Sequence, residues 1–234
     1  MPIGPYKIPT AKKPRISVNK LAEYLESTSS RRKKIVTDAK YPQEYVTTRY
    51  KDAREHIKRY VCKGVDEDAI LLVIDAFNST VPETDFQKQD NDLSAEVLAL
   101  MLDMDLGSLS NFDLKPFEGN NDLLEIAGVD VSVNPDLLIT KDNGAETYVG
   151  AGKLHLSKSN QLSDESQKIV GVLLYRFTED FIIPTIENSL ALPKLCFSID
   201  LFAQTIECCP SSTKMRLRKI EDACEEIALW WNKL

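Results

Sequence analysis

Asp136 and Lys153 are the residues of this 234-residue chain whose types and spacing point most directly to chemistry. The acid opens one apolar run, Pro135-Asp136-Leu137-Leu138-Ile139, and the amine sits inside the next, Tyr148-Val149-Gly150-Ala151-Gly152-Lys153-Leu154-His155-Leu156. Between them Lys141-Asp142-Asn143-Gly144 reads as a turn, so the pattern predicts a β-hairpin across which a carboxylate and an ammonium meet. Such a pair is one way to assemble a metal-dependent phosphodiester cleavage site: the acid holds a hard cation, and the amine stabilises the charge that develops at phosphorus. One carboxylate alone holds Mg²⁺ poorly, and position 151, two residues before the lysine, is alanine.

The surrounding elements have to position that pair. Leu93 to Leu106 has helical spacing and ends before Gly107; Leu123 to Val133, Pro135 to Thr140 and Glu146 to Leu156 read as extended. Ser163 caps a long helix through Phe177, Leu195 to Cys208 reads as a strand, and Lys214 to Trp231 as a closing amphipathic helix anchored by Trp230 and Trp231. Upstream, Ser17 caps a short helix with Val18, Leu21 and Leu25 on one face, Ser29-Ser30 opens a second, and Pro42 begins a third that runs to Val61. Asp66 to Phe77 is a strongly apolar helix expected to be buried on most sides, and Ser79 to Asp92 a polar connection. The fold class is therefore mixed α+β, divided into an extended basic tail (1–15), a helical basic region (16–80) and an α/β core (88–234).

Composition narrows the function classes. At 43% hydrophobic the chain buries an ordinary core, no apolar run is long enough to span a bilayer, and the first residues have no apolar stretch of the signal-peptide kind, so a cytoplasmic protein without a membrane role is expected. Five cysteines without a Cys-x-x-Cys pair and two histidines support neither a disulfide framework nor a zinc site. Gly150-Ala151-Gly152-Lys153 lacks the glycine at 147 and the hydroxyl at 154 that a phosphate-binding loop needs. No Gly-x-Ser-x-Gly elbow is present, and His155 on an alternating strand reads as a partly buried structural residue.

Charge is divided unevenly. Residues 1–60 carry 15 Lys+Arg against 6 Asp+Glu, whereas the remainder carries 14 against 30. Arg31, Arg32, Lys33 and Lys34 on one helix and Arg49, Arg54 and Lys58 on the next form a candidate phosphate-contacting surface with interleaved tyrosines. Four consecutive cations at the first turn of a helix oppose its dipole, so that turn calls for a nearby anion.

The order helix, three strands, helix, strand, helix, with Pro135-Asp136 at one strand and Lys153 on the next, resembles the core of the PD-(D/E)XK nuclease superfamily over about 140 residues. The resemblance implies a mixed sheet flanked by helices, in which Asp136 binds Mg²⁺ and Lys153 assists the attacking water. Ala151 departs from the motif, which expects Glu or Asp there. A subgroup of restriction endonucleases in the superfamily takes the second acid from the helix after the lysine strand, and Glu165, 12 residues after Lys153, stands at that place. Glu96 matches an occasional accessory acid, while Gln167 and Tyr175 fall on the helix that carries a Gln and Tyr pair in related nucleases, at a spacing that departs from the usual one.

The implied function is action on nucleic acid, DNA ahead of RNA, within a prokaryotic defence or genome-maintenance system, as a Mg²⁺-dependent nuclease using Asp136, Glu165 and Lys153. The alternative is a catalytically inactive binding or scaffold subunit on the same fold that engages nucleic acid, or a larger protein subunit, through the basic N-terminal segment.

Overall fold

Hydroxyl and carboxylate caps fix where several helices begin. Among the described residues, Ser17 accepts the backbone N–H of Lys20, Asp66 that of Ala69, Thr84 that of Gln87, and Ser163 that of Ser166, each satisfying a donor with no partner inside its own helix. The computed structural model describes residues 13–42 and 49–234. In chain order its elements are β1 (Arg15–Ser17), α1 (Val18–Glu26), α2 (Ser29–Lys40), α3 (Lys51–Val61), α4 (Glu67–Ser79), α5 (Asp85–Leu102), β2 (Asp113–Pro116), β3 (Leu123–Ile126) and β4 (Val129–Ser132). There follow β5 (Leu137–Asp142), β6 (Thr147–His155), α6 (Asp164–Phe177), β7 (Ser189–Ala191), β8 (Phe197–Asp200), β9 (Thr205–Cys208) and α7 (Lys214–Lys233). The fold is mixed α+β, with a mixed sheet flanked by helices.

The chain forms two compact units that do not follow its linear order. Among the described residues, the first comprises 13–42, 120–134 and 212–234; the second comprises 49–119 and 135–211. In the first, β4 pairs with β1 in parallel and with β3 antiparallel, and α7 packs on this small sheet beside α1 and α2. Leu21, Tyr24, Val36, Val131, Ile220 and Ile227 are buried in it. A division near residue 80 thus gives way to one in which residues 16–40 belong with the closing helix, because among the described residues the partner strand of β1 comes from the 120–134 segment.

The second unit is built on a sheet of order β2-β5-β6-β8-β9, with β7 paired to the start of β6. Adjacent strands run antiparallel except β6 with β8 and β6 with β7, which are parallel. One face contributes Leu137, Ile139, Leu154, Phe197 and Ile199 to an apolar core shared with Ile57 of α3, Ile70 of α4, and Leu98 and Met101 of α5. On the opposite face α6 lies over β6, β8 and β9, where Gln167 Nε2 donates to Thr205 Oγ1 at 2.8 Å and Lys168 pairs with Glu207. The parallel β6-α6-β8 crossover thereby sets the first turn of α6 above the end of β6 that carries Lys153.

Several boundaries differ from the sequence reading. The polar stretch before Leu93 is helical, because Thr84 caps α5 well ahead of its first apolar residue pair. The extended segments 123–133 and 195–208 are each two strands joined by a reversal, through Ala127 and Gly128 in one and Gln204 in the other, all at positive φ. Helix α4 has one buried residue, Ile70, rather than burial on most sides. The tail up to residue 12, and Tyr45 and Val46 of the helix expected from Pro42, lie outside the described residues. Among the described residues no helix is long and apolar enough to cross a membrane.

Candidate phosphate-facing site

Strands β5 and β6 pair as the hairpin expected from the sequence, with Leu137 opposite Gly152. Gly150 permits this β6 path, since a Cβ there would lie 2.2 Å from the carbonyl oxygen of Leu195. Asp136 immediately precedes β5, and its N–H donates to Gly152 O at 2.8 Å. Its carboxylate then does what a strand carbonyl would do: Oδ2 accepts the backbone N–H of Leu154 at 2.9 Å. The same oxygen lies 3.6 Å from Lys153 Nζ, so the acid and the amine singled out in the sequence are in contact.

A third residue completes the cluster. Arg54 of α3 donates through Nη1 to Asp136 Oδ1 at 2.8 Å and to the carbonyl of Leu154 at 3.2 Å. Its helix is oriented by Tyr50, which caps it at φ 60°, a left-handed conformation that a tyrosine adopts only when held there. The hold is visible: Tyr50 N–H donates to Asp90 Oδ1 at 2.9 Å, and its ring packs edge-on against Phe202. One helical turn beyond Arg54, Lys58 pairs with Glu55. Side-chain exposure falls from 30% at Arg54 to 13% at Lys153 and 8% at Asp136, so the two cations bracket a nearly buried acid.

Burial lowers the Lys153 ammonium below the usual lysine range; Asp136 opposes this, while Arg54 and Lys58 reinforce it through like charge. Directly across from Lys153 on β8 stands Ser198, fully buried, its hydroxyl without a hydrogen-bond partner among the described residues. Glu165, the proposed second acid, is half-buried in the first turn of α6, on the sheet face that Lys153 shares with Ser198. Ala151 is fully buried and offers a methyl group where the motif expects an acid.

This arrangement is a poor fit to a divalent cation. Asp136 already receives Arg54 on one oxygen and Leu154 N–H and Lys153 on the other, and the nearest side chains add positive charge. Among the described residues no group of three His, Cys, Asp or Glu side chains is disposed to hold a metal ion. Glu96, the accessory acid, is held by Lys158 through both its oxygens at 2.6 and 2.8 Å. Gln167 is fully buried against Thr205, and Tyr175 is half-buried later on α6.

The other cations expected to meet nucleic acid divide sharply. In the first unit Arg31 binds Glu23, and Arg32 donates to the carbonyls of Tyr24 and Leu25 at 3.0 Å each, pairs with Glu226, and stacks on the Tyr24 ring. The anion that the first turn of α2 calls for is thus supplied by the protein, and Arg32 also closes the carbonyl end of α1. Lys33 and Lys34 face solvent, Lys33 over the Trp230 ring. In the second unit Arg49 is exposed, donates to Gln89 and lies over Phe86.

One polar centre was missed in the sequence. Asp200 is fully buried and accepts the N–H groups of Leu162, Phe202 and Ala203 at 2.7, 3.1 and 3.1 Å. His155 Nε2 stands 4.0 Å from it and 2.6 Å from the carbonyl of Asn160, so the pair pins the loop that delivers α6. The available signal was an acid set between Ile199 and Leu201, a position that demands partners when buried. No protein-family model and no curated protein matches the chain.

Proposed function

We propose that this is a DNA-acting protein on a PD-(D/E)XK-like core, in which Lys153 and Arg54, fixed by Asp136, receive a backbone phosphate. The contact of Asp136 with both cations carries the reading. One acid between two close cations leaves net positive charge at the rim of the sheet. Asp136 acts as the positioning residue: it holds the ammonium and the guanidinium at fixed separation, and its bond to Leu154 ties them to the hairpin. With Ala151 in place of an acid, the site as built binds rather than cuts, which is the reading of a non-catalytic subunit acting in the cytoplasm beside a larger protein of a defence or genome-maintenance system.

A second reading, Mg²⁺-dependent cleavage, is favoured by one observation: the first turn of α6 brings Glu165 to the face of the sheet that carries Lys153. It requires Arg54 to release Asp136. Both readings meet one experiment. Purified protein is titrated with labelled duplex at rising salt and incubated with plasmid in Mg²⁺ or Mn²⁺. Binding that weakens with salt and falls in Lys153→Ala and Arg54→Ala, with intact plasmid, supports the binding subunit. Cleavage lost in Asp136→Ala, Glu165→Ala and Lys153→Ala supports the nuclease. Affinity unchanged by Lys153→Ala and Arg54→Ala, without cleavage, removes both.

A further inference from the structure

Helix α4 is apolar in composition yet mostly uncovered. Of its residues only Ile70 is buried; Val73, Ile74 and Phe77 lean on the core, while Leu71 and Leu72 are 44% and 70% exposed. Asp68, Leu71, Leu72, Asp75 and Ala76 share the outer stripe of the helix, all exposed. Beyond the end of α4, in the turn into α5, Val81 is 85% exposed and Phe86 37% exposed. Exposed leucines occur singly on most proteins, but a run of this kind on one helix-turn marks a contact surface.

Charge identifies what fits it. Residues 65–86 contain six acids, Asp66, Glu67, Asp68, Asp75, Glu83 and Asp85, and no lysine or arginine. All six are exposed, and Asp66 is engaged as the cap of α4. Among the described residues none of the other five forms an ion pair, whereas Arg31 and Arg32 of α2 and Arg54 and Lys58 of α3 each do. A nucleic acid is repelled by this surface. A second copy of the chain would set its acids against an identical set, at a cost that leucine burial has to overcome. The complementary occupant is apolar along one side and basic along its flanks. Arg49 over the Phe86 ring at 5.3 Å already shows the rim accepting a guanidinium.

We propose that the outer face of α4, with Val81 and Phe86, docks a basic amphipathic helix of a partner protein, leucine-like residues meeting Leu71 and Leu72 and lysines or arginines meeting Asp68, Asp75 and Glu83. This surface is independent of the phosphate-facing cluster, so DNA affinity does not report on it.

The test uses the full-length protein and a fluorescein-labelled helical peptide of leucines and lysines, with a leucine and glutamate peptide of the same pattern as control. Saturable anisotropy is expected with the basic peptide alone. It should weaken by about tenfold or more in Leu72→Asp/Val81→Asp, and again in Asp68→Lys/Asp75→Lys, where the glutamate peptide should begin to bind. Circular dichroism melts matching the unaltered protein, and a milder Leu71→Ser/Leu72→Ser variant, separate loss of the face from loss of fold. Equal affinity of unaltered protein and folded variants, or equal affinity for both peptides, overturns the proposal. So does sedimentation showing a dimer that Leu72→Asp dissociates, because the occupant is then a second copy.

Discussion

Arg54 and Asp136, 82 positions apart in sequence, form an ion pair at 2.8 Å in which the arginine also reaches the carbonyl of Leu154. The acid belongs to the hairpin and the cation to α3, so the pair staples the helical layer to the sheet at the point where Lys153 emerges. Removing the guanidinium leaves a nearly buried carboxylate with one fewer charged donor and a carbonyl with none from this residue. Arg54→Met is expected to cost about 1.5–3 kcal/mol, after allowing for the partial exposure of the arginine. Urea unfolding of Arg54→Met, Asp136→Asn and the double variant measures it: the second substitution should cost less once the first is in place, and strict additivity would show that the two side chains do not act as a pair.

Asp200 is expected to be the most sensitive polar position of the second unit. Asp200→Ala leaves three backbone donors, of Leu162, Phe202 and Ala203, without their acceptor inside a fully buried site. The expected loss is about 3–5 kcal/mol, with Asp200→Asn losing less because one amide oxygen remains. Hydrogen exchange should report the loss first at Leu162 and the start of α6. Equal protection there in the variant would mean that the loop is held by something else.

Gly150 is tested by a single methyl group. An alanine Cβ at this position falls 2.2 Å from the Leu195 carbonyl oxygen and 2.4 Å from its carbon, both backbone atoms that cannot rotate away. Gly150→Ala should destabilise by about 3 kcal/mol. Gly144→Ala, at φ 87° in the exposed turn between β5 and β6, meets no neighbour within 4 Å and is expected to cost only the backbone strain of about 1 kcal/mol. Thermal melts of the two variants should therefore separate clearly, and similar melts would contradict the close packing of β6 on Leu195.

What the sequence made legible was local. Ser17 and Ser163 announce their helices because a capping hydroxyl acts within three residues, and the Asp136 to Lys153 hairpin is visible because alternation and a turn motif lie side by side. The reversals at Ala127 and Gln204 were not legible in those residues, since neither type announces a positive φ; only Gly128 gave a sign. The start of α5 was hidden by its polar first half, where the cap at Thr84 outweighs the lack of an apolar stripe. Which helices share a unit was beyond reach, because the pairing of β1 with β4 joins segments more than a hundred residues apart. Arg31 and Arg32 show the same limit for the site: their charge is visible, but the acids that consume it, Glu23 and Glu226, are brought there by packing.

Lys153 gives the candidate site a pH signature. Its ammonium is held below the ordinary lysine value of 10.5, first by burial and then by Arg54 and Lys58, against the opposing pull of Asp136. In the unfolded chain the amine therefore keeps its proton to higher pH than in the fold. Between the lowered value and 10.5 the unfolded state binds more protons, so this residue contributes stability that increases as pH rises through the window. Below the lowered value the full cost of a buried ammonium is present. Lys153→Met removes the term, so the stability of the unaltered protein minus that of the variant should become more favourable from neutral pH towards 10.5, read by urea unfolding at matched ionic strength. Taking the difference cancels the tyrosines and cysteines that titrate in the same range. A difference that stays flat, or falls, would place the Lys153 ammonium in a site that favours its charge, and the burial assigned to it beside Asp136 would be wrong.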